Sequence, residues 1–356
     1  MTTTSERVSE ALTRQVSKVS QSVFDGSRLR VVLLVDVYDG AQQQFLEAYE
    51  QLGSQVASVP GHVSDQLCQS IENPSQWLIT SEWESAPPFL AWVNSEDHVR
   101  MVRPLHSCVR DTRSLRFHVV RETGNAVRGS ADRRLQVEPR IGDGVIRHAL
   151  TFTVKPGSEP QVAQILANYE SPEARVDDTT KLCRTSLFMH GNRVVRAIEV
   201  RGDLLAALRH VARQPEVQAV EEAINPYLEQ DRDFKDQESA RVFFTRAALP
   251  AVHHMTAAEL PEVERQALYY PAKPGKGMRL AELLAQQDEA VAEVADGPVL
   301  RSTIFQRDDV VVRLVDLREA MGARELPETA SAELKSLLYG GAVRMDLLTD
   351  RRSQDA

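Results

Sequence analysis

The stretch RHALTFTVKPGSEPQVAQILA, from Arg147 to Ala167, is echoed by RQALYYPAKPGKGMRLAELLA, from Arg265 to Ala285. Arg147, Lys155, Pro156 and Gly157 align with Arg265, Lys273, Pro274 and Gly275. Farther along, RTSLFMHGNRVVRAIEV from Arg184 aligns with RSTIFQRDDVVVRLVDL from Arg301, so Arg184, Phe188 and Arg196 correspond to Arg301, Phe305 and Arg313. A period of roughly a hundred residues is too long for a solenoid unit and is the size of a small domain. Such a chain folds as tandem copies of one module, and a more divergent third copy precedes these two.

A chain of 356 residues is too long for one ordinary core. Its 42% hydrophobic and 26% charged residues are those of a globular protein. The net charge of -9 argues against a nucleic-acid partner, which needs a concentrated basic face. No apolar run approaches bilayer-spanning length, and the first residues lack the apolar core of a signal peptide. Cys68, Cys108 and Cys183 are scattered, without zinc spacing or a disulfide framework. The expectation is a cytoplasmic protein with no membrane contact.

The element order predicts an α+β fold of three tandem ferredoxin-like β-α-β-β-α-β units. Residues 1–27 read as a flexible arm, 28–121 as the first unit, 122–144 as a linker and 145–250 as the second unit. Residues 251–264 read as a second linker and 265–350 as the third unit. In the first unit LRVVLLVDV is a strand, and Phe45, Leu46, Tyr49 and Leu52 mark one face of the following helix. Asn73-Pro74 joins two strands in a hairpin, and Pro87-Pro88 opens a second helical stretch. In the second unit ARVFFTRAAL is expected to be the closing strand. The bare sheet face of such a unit is too apolar for water. Two sheets therefore press together around a cavity in a dimeric α/β-barrel type of pairing. With three units, the two most similar pair within the chain and the remaining one pairs with a second chain, giving a homodimer.

Residues 28 to 121 resemble the antibiotic biosynthesis monooxygenase family. The likeness rests on the Pro60-Gly61-His62 turn, the strand QWLITSEWES and the helix FLAWVNSEDH. From residue 145 onward the chain resembles the SchA/CurD-like proteins of aromatic polyketide and spore-pigment pathways, through RHALTFTVKPGSE, FMHGNRVVRAIEV and ARQPEVQAVEEAINPYLE. The stretch from Pro215 to Phe244 also resembles the end of the tetracenomycin-type polyketide cyclases. The first resemblance implies a monooxygenase that uses no flavin, haem or metal, and GxGxxG and metal-ligand clusters are absent from the sequence. Two departures stand out. The monooxygenases carry an Asn shortly before the strand Trp, where this chain has Leu78-Ile79-Thr80. The cyclases carry a His-Asp pair where it has Tyr169 and Glu170.

Cofactor-free oxygenation requires that the substrate supply the electrons, so a phenol or anthrone must be deprotonated, held flat and shielded from water. Trp77 and Trp83 share a strand face by period two, and that face is either the sheet–sheet cavity or the helix side. Substrate stacking and plain core packing both account for them, and Phe89 joins them as a substrate-contacting candidate. Gln69, on the neighbouring strand, and His106, near the end of the second helical stretch, are the polar candidates in this unit. In the second unit Arg184, His190 and Arg196 gather on one hairpin, with His148 on the opening strand. Arg196 and Arg313 sit among valines, so each either pairs with Glu199 or Asp316 or faces a polar cavity; the cavity is the favoured reading. His253-His254 reads as part of a solvated linker.

Taken together, the resemblances imply oxidation of a phenol or anthrone ring of an aromatic polyketide to a quinone, with molecular oxygen as co-substrate and no cofactor. Ring closure by a cyclase, or a non-catalytic partner of other tailoring enzymes in the pathway, are the alternatives.

Overall fold

A computed structural model describes residues 19–120, 142–168, 170, 172–230, 232–233, 237–258, 263–294, 297–318 and 332–353. The protein is a mixed α and β structure. It starts with a short strand β1 (Val19–Ser22). Next come β2 (Leu29–Val37), α1 (Gln42–Val56), β3 (His62–Gln69), β4 (Gln76–Trp83), α2 (Ala86–Val93), α3 (Glu96–Val102) and β5 (Val109–His118). A second series comprises β6 (Val145–Thr153), α4 (Glu159–Ala167), β7 (Lys181–His190), β8 (Arg193–Arg201), α5 (Leu204–Ala212), α6 (Pro215–Ile224), α7 (Gln237–Ala247) and β9 (Ala248–Thr256). The third comprises β10 (Val263–Pro271), α8 (Gly277–Ala292), β11 (Val299–Arg307), β12 (Val310–Arg318), α9 (Ala332–Leu337) and β13 (Val343–Arg352).

β2 to β5 form a separate four-stranded sheet in the order β3-β4-β2-β5. The other strands join in the order β9-β11-β12-β10-β13-β7-β8-β6, and β6 pairs back onto β9. This closes an eight-stranded barrel and removes the unpaired edges that would otherwise invite aggregation. β1 lies along the rest of β9, with Val19 opposite Thr256. The seams of the barrel, β7 with β13 and β9 with β11, join the second series to the third. The repeat seen in the sequence is thus two halves of one closed sheet.

Three sequence expectations need correction. ARVFFTRAAL falls mostly in α7, not in a strand: Phe243 and Ala247, one helical turn apart, are both buried in the same apolar cluster. The strand begins only at Ala248 and runs through the segment expected to be the 251–264 linker. His253 and His254 are accordingly buried, and their rings point to opposite faces of β9. His254 faces the barrel interior, 2.9 Å from the Thr303 hydroxyl and 3.0 Å from that of Thr256. The arm expected over 1–27 includes β1; residues 1–18 of it, and most of the 122–144 linker, lie outside the described residues. No helix among the described residues is long and apolar enough to cross a membrane.

Candidate functional site

Strand register puts Trp77 opposite Val35 and Trp83 opposite Leu29, on the face of the first sheet that its helices cover. Of the two faces open to the tryptophans, they take the helix side. Trp77 packs on Phe45 of α1, with ring centroids 5.3 Å apart. Trp83 is fully buried, and its indole N–H donates to the Ser81 hydroxyl at 3.0 Å. Phe89 and Trp92 of α2 lie against Trp83 at 5.3 Å each, and His62 meets it edge-on at 5.2 Å.

The same face continues onto β5, where Val31 and Leu33 stand opposite Arg116 and Ser114. Thr112, Ser114 and Arg116 share this side by period two and remain exposed beside the aromatic wall. The Arg116 guanidinium lies 5.2 Å from the centre of the Phe89 ring. Arg116 keeps access to solvent although protein surrounds it on most sides, and burial pulls its pKa down. It makes no hydrogen bond or ion pair with any other described residue. Arginines elsewhere in this chain are commonly matched to carboxylates, so an exposed one without such a match among the described residues suits an anionic ligand.

Histidines gather around this cation. His98 of α3 stands edge-on to Trp92 at 4.5 Å. Burial, then the charges of Arg116 and His106, lower its pKa to about 4. Burial and then Arg116 lower the pKa of His148, on β6 of the barrel, to about 4 as well. Both imidazoles are therefore neutral at pH 7. The indole N–H of Trp92 is buried without an acceptor among the described residues, a costly state unless a ligand takes it up. Among the described residues no group of three or more His, Cys, Asp or Glu could hold a metal.

The remaining candidates are dispersed. Gln69 donates to the Pro74 carbonyl at 2.9 Å and closes the hairpin turn. His106 sits in the single-turn helix Arg103–Ser107, exposed and near His98. His190 is exposed at the end of β7. Arg196 does not face a cavity, and its carboxylate is neither Glu199 nor Asp316. It points out of the barrel and donates to Glu221 of α6 at 2.8 Å, where Arg232 also binds at 2.6 Å. Residues three apart on a strand lie on opposite faces, so Arg196 could not have met Glu199. Arg313 likewise points outward, to Asp288 of α8 and, at 3.2 Å, to the Ser302 hydroxyl. Arg196→Met should lower stability by about 1–3 kcal/mol, because Glu221 keeps Arg232 but loses one of its two donors. Denaturant melts compared with activity would check this; loss of activity at unchanged stability would restore a substrate role.

The barrel interior is filled, contrary to the expected cavity. Phe188, Phe305, Leu314 and Met345 pack in its middle. One end is closed by a buried ion network in which Asp316 receives Arg265 at 2.7 Å, Arg301 at 2.7 Å and Arg184 at 3.1 Å. Arg184 also holds Asp350, and Arg265 holds Glu199 at 2.7 Å. The cavity beside this network is about 10 Å³, room for about one water and far below the roughly 300–1,000 Å³ of small-molecule pockets. Arg184 is thus held between two carboxylates, Asp316 and Asp350, at this end of the barrel.

Sequence reasoning missed Arg116, Trp92 and His98. The available signal was the alternation Thr112, Ser114, Arg116, which puts small polar residues and one cation on a single strand face.

Residues 28–104 match the family model described as antibiotic biosynthesis monooxygenase, and residues 145–257 match the SchA/CurD like domain. The 42.8 kDa protein in the whiE locus of Streptomyces coelicolor is 59% identical over 351 residues, covering 98% of this chain and 86% of that protein. Protein SchA of Streptomyces halstedii is 62% identical, covering 87% of this chain and 83% of SchA. Polyketide synthase CurD of Streptomyces cyaneus is 65% identical, covering 84% and 81%. Among solved structures, SnoaB, a cofactor-independent oxygenase from Streptomyces nogalater, matches 27% of this chain and 96% of its own, with 16% identity and a TM-score of 0.26. On the strength of these whole-length relatives, the chain belongs to the family of SchA, CurD and the whiE-locus protein, with an antibiotic biosynthesis monooxygenase domain followed by a SchA/CurD-like domain.

Proposed function

We propose that this protein is a cofactor-independent oxygenase of an aromatic polyketide, and that the cleft beside Arg116 is where it acts. The observation that carries the reading is a guanidinium with no carboxylate partner among the described residues, set against the aromatic wall of Phe89, Trp92 and Trp83. A phenol titrates near pH 10, so ionising it at pH 7 costs about 4 kcal/mol. A cation in a partly dry cleft supplies much of that. The phenolate, or the carbanion of an anthrone, passes one electron to oxygen. The resulting radical and superoxide combine as a hydroperoxide, which loses water to leave a carbonyl. One O₂ is consumed, and one oxygen atom enters the quinone while the other leaves as water.

The Asn of the resembling monooxygenases has no counterpart here; Ile79 takes the helix-facing position nearest in sequence. Arg116 and the Trp92 N–H, which has no acceptor among the described residues, would serve in its place as oxyanion donors. The filled barrel supports locating the chemistry in the first domain and weighs against a cyclase pocket inside the barrel. Incubating the protein with an anthrone under air and under argon tests the reading: quinone formed only under air supports it. Ring closure under argon would replace it with cyclase chemistry.

We also read the first domain as a third ferredoxin-like unit whose bare sheet face pairs with that of a second chain, as the other two units pair within the barrel. Leu34 and Phe117 on that face are 44% and 51% exposed. The double variant Leu34→Asp, Phe117→Asp should sediment as a monomer and wild type as a dimer. A monomeric wild type would end this reading.

A further inference from the structure

We infer that the cleft of the first domain is shared with the barrel, and that His148 of β6 forms its far wall and contacts the substrate opposite Arg116. This rests on the phenolate reading for the ligand, though not for the geometry. Arg147 and Ala149 face into the barrel, so His148 between them points outward. Its cross-strand neighbours are Ile198 on β8 and Pro250 on β9, which offer its ring no charge and no side-chain hydrogen bond.

The helical corner of the first domain is pinned close by. Arg307 of β11 donates to the Asn94 carbonyl and to the Ala248 carbonyl, each at 3.4 Å. Ala248 is the register partner of Leu150, two residues from His148 on the same strand. Arg246 of α7 lies 3.9 Å from Glu96 of α3. These contacts set the α2–α3 corner of the first domain beside the paired strands β9 and β6, and the charge of Arg116 on β5 reaches both His98 and His148.

A first domain on its own would leave this flank to water. With the barrel docked, a planar aromatic on Phe89 with one oxygen at Arg116 presents its opposite edge to a neutral imidazole, which can donate or accept one hydrogen bond. The ligand class that follows is a polyphenol carrying oxygens on two edges. Shielding by the barrel would also protect a radical pair from water.

The test uses the full chain and 1,2-dihydroxyanthraquinone, whose visible band reports ionisation. At pH 7, His148→Ala should weaken dye binding about tenfold, and His148→Gln, which retains a donor and an acceptor, should restore most of it. In parallel, NMR should follow the His148 imidazole. Arg116→Gln removes the neighbouring cation and should raise its titration midpoint, whereas Arg116→Lys should leave it near the wild-type value. A midpoint unmoved in Arg116→Gln would overturn the shared cleft. Equal dye affinity in wild type and His148→Ala would overturn the contact. Dye that fails to bind wild type, beside a midpoint that does move, would sink the phenolate reading while upholding the shared cleft.

Discussion

Asp316→Asn is expected to cost about 3–5 kcal/mol, a large part of the roughly 5–15 kcal/mol that holds a domain folded. Asp316 is 1% exposed and receives hydrogen bonds from Arg184, Arg265 and Arg301. An amide of the same shape would leave three guanidinium groups crowded around a neutral group at the end of the barrel. Burial alone would push the Asp316 carboxyl up. The bonds and charge of Arg265, with Arg301 and Arg184, outweigh burial and hold it well below the usual carboxylate range. Glu199 and Asp350 are lowered in the same way, and Arg147 brings Asp143 down to about 2.

A carboxylate with a depressed folded pKa contributes stability that is fully present above its unfolded value, near pH 4, and is lost as pH falls through the folded value. The barrel should therefore hold its stability down to about pH 4 and lose it steeply below. Asp316→Asn should show a shallower acid dependence from a lower starting point. Denaturant melts at pH 7, 4 and 2.5 check both features. Equal midpoints for wild type and variant at pH 7 would mean that the network contributes no net stability.

Arg116→Gln is expected to slow substrate oxidation at pH 7 by about a hundredfold, the scale of losing one oxyanion-stabilising donor. Apart from the Phe89 ring the side chain has no hydrogen-bond or ion-pair partner among the described residues, so the melting temperature should change little. The rate should recover as pH rises toward 10, where a phenol ionises without help. The variant's pH–rate profile should thus be displaced upward relative to wild type. Oxygen uptake across pH 6 to 10 measures it. A uniform loss at every pH would show that Arg116 only shapes the cleft, and no loss would remove it from the chemistry.

Much of the fold was legible because its signals are local. The continuous run LRVVLLVDV, the hairpin at Asn73-Pro74, and the in-register match of Arg147 with Arg265 all show in short windows. α7 was misread because its apolar cluster sits beside a strand with no Gly or Pro between them. The site was less legible. Trp83 and Phe89 are recognisable from the strand and the helix that carry them, but Arg116 is one arginine among several in RDTRSLRFH.

What the sequence by itself determined is periodicity: most strands and helices outside α7 and β9, which faces alternate, and that two copies of one pattern follow each other. Only the tertiary structure decided the partners. Asp316 meets Arg184 across 132 residues because the sheets close into a barrel. Arg196 meets Glu221 because α6 lies over the outer face of β8. His148 comes within the field of Arg116 because the first domain docks on the barrel. Charge pairing depends on distances of a few ångströms between distant segments, and no local spacing encodes which segments the closed sheet will bring together.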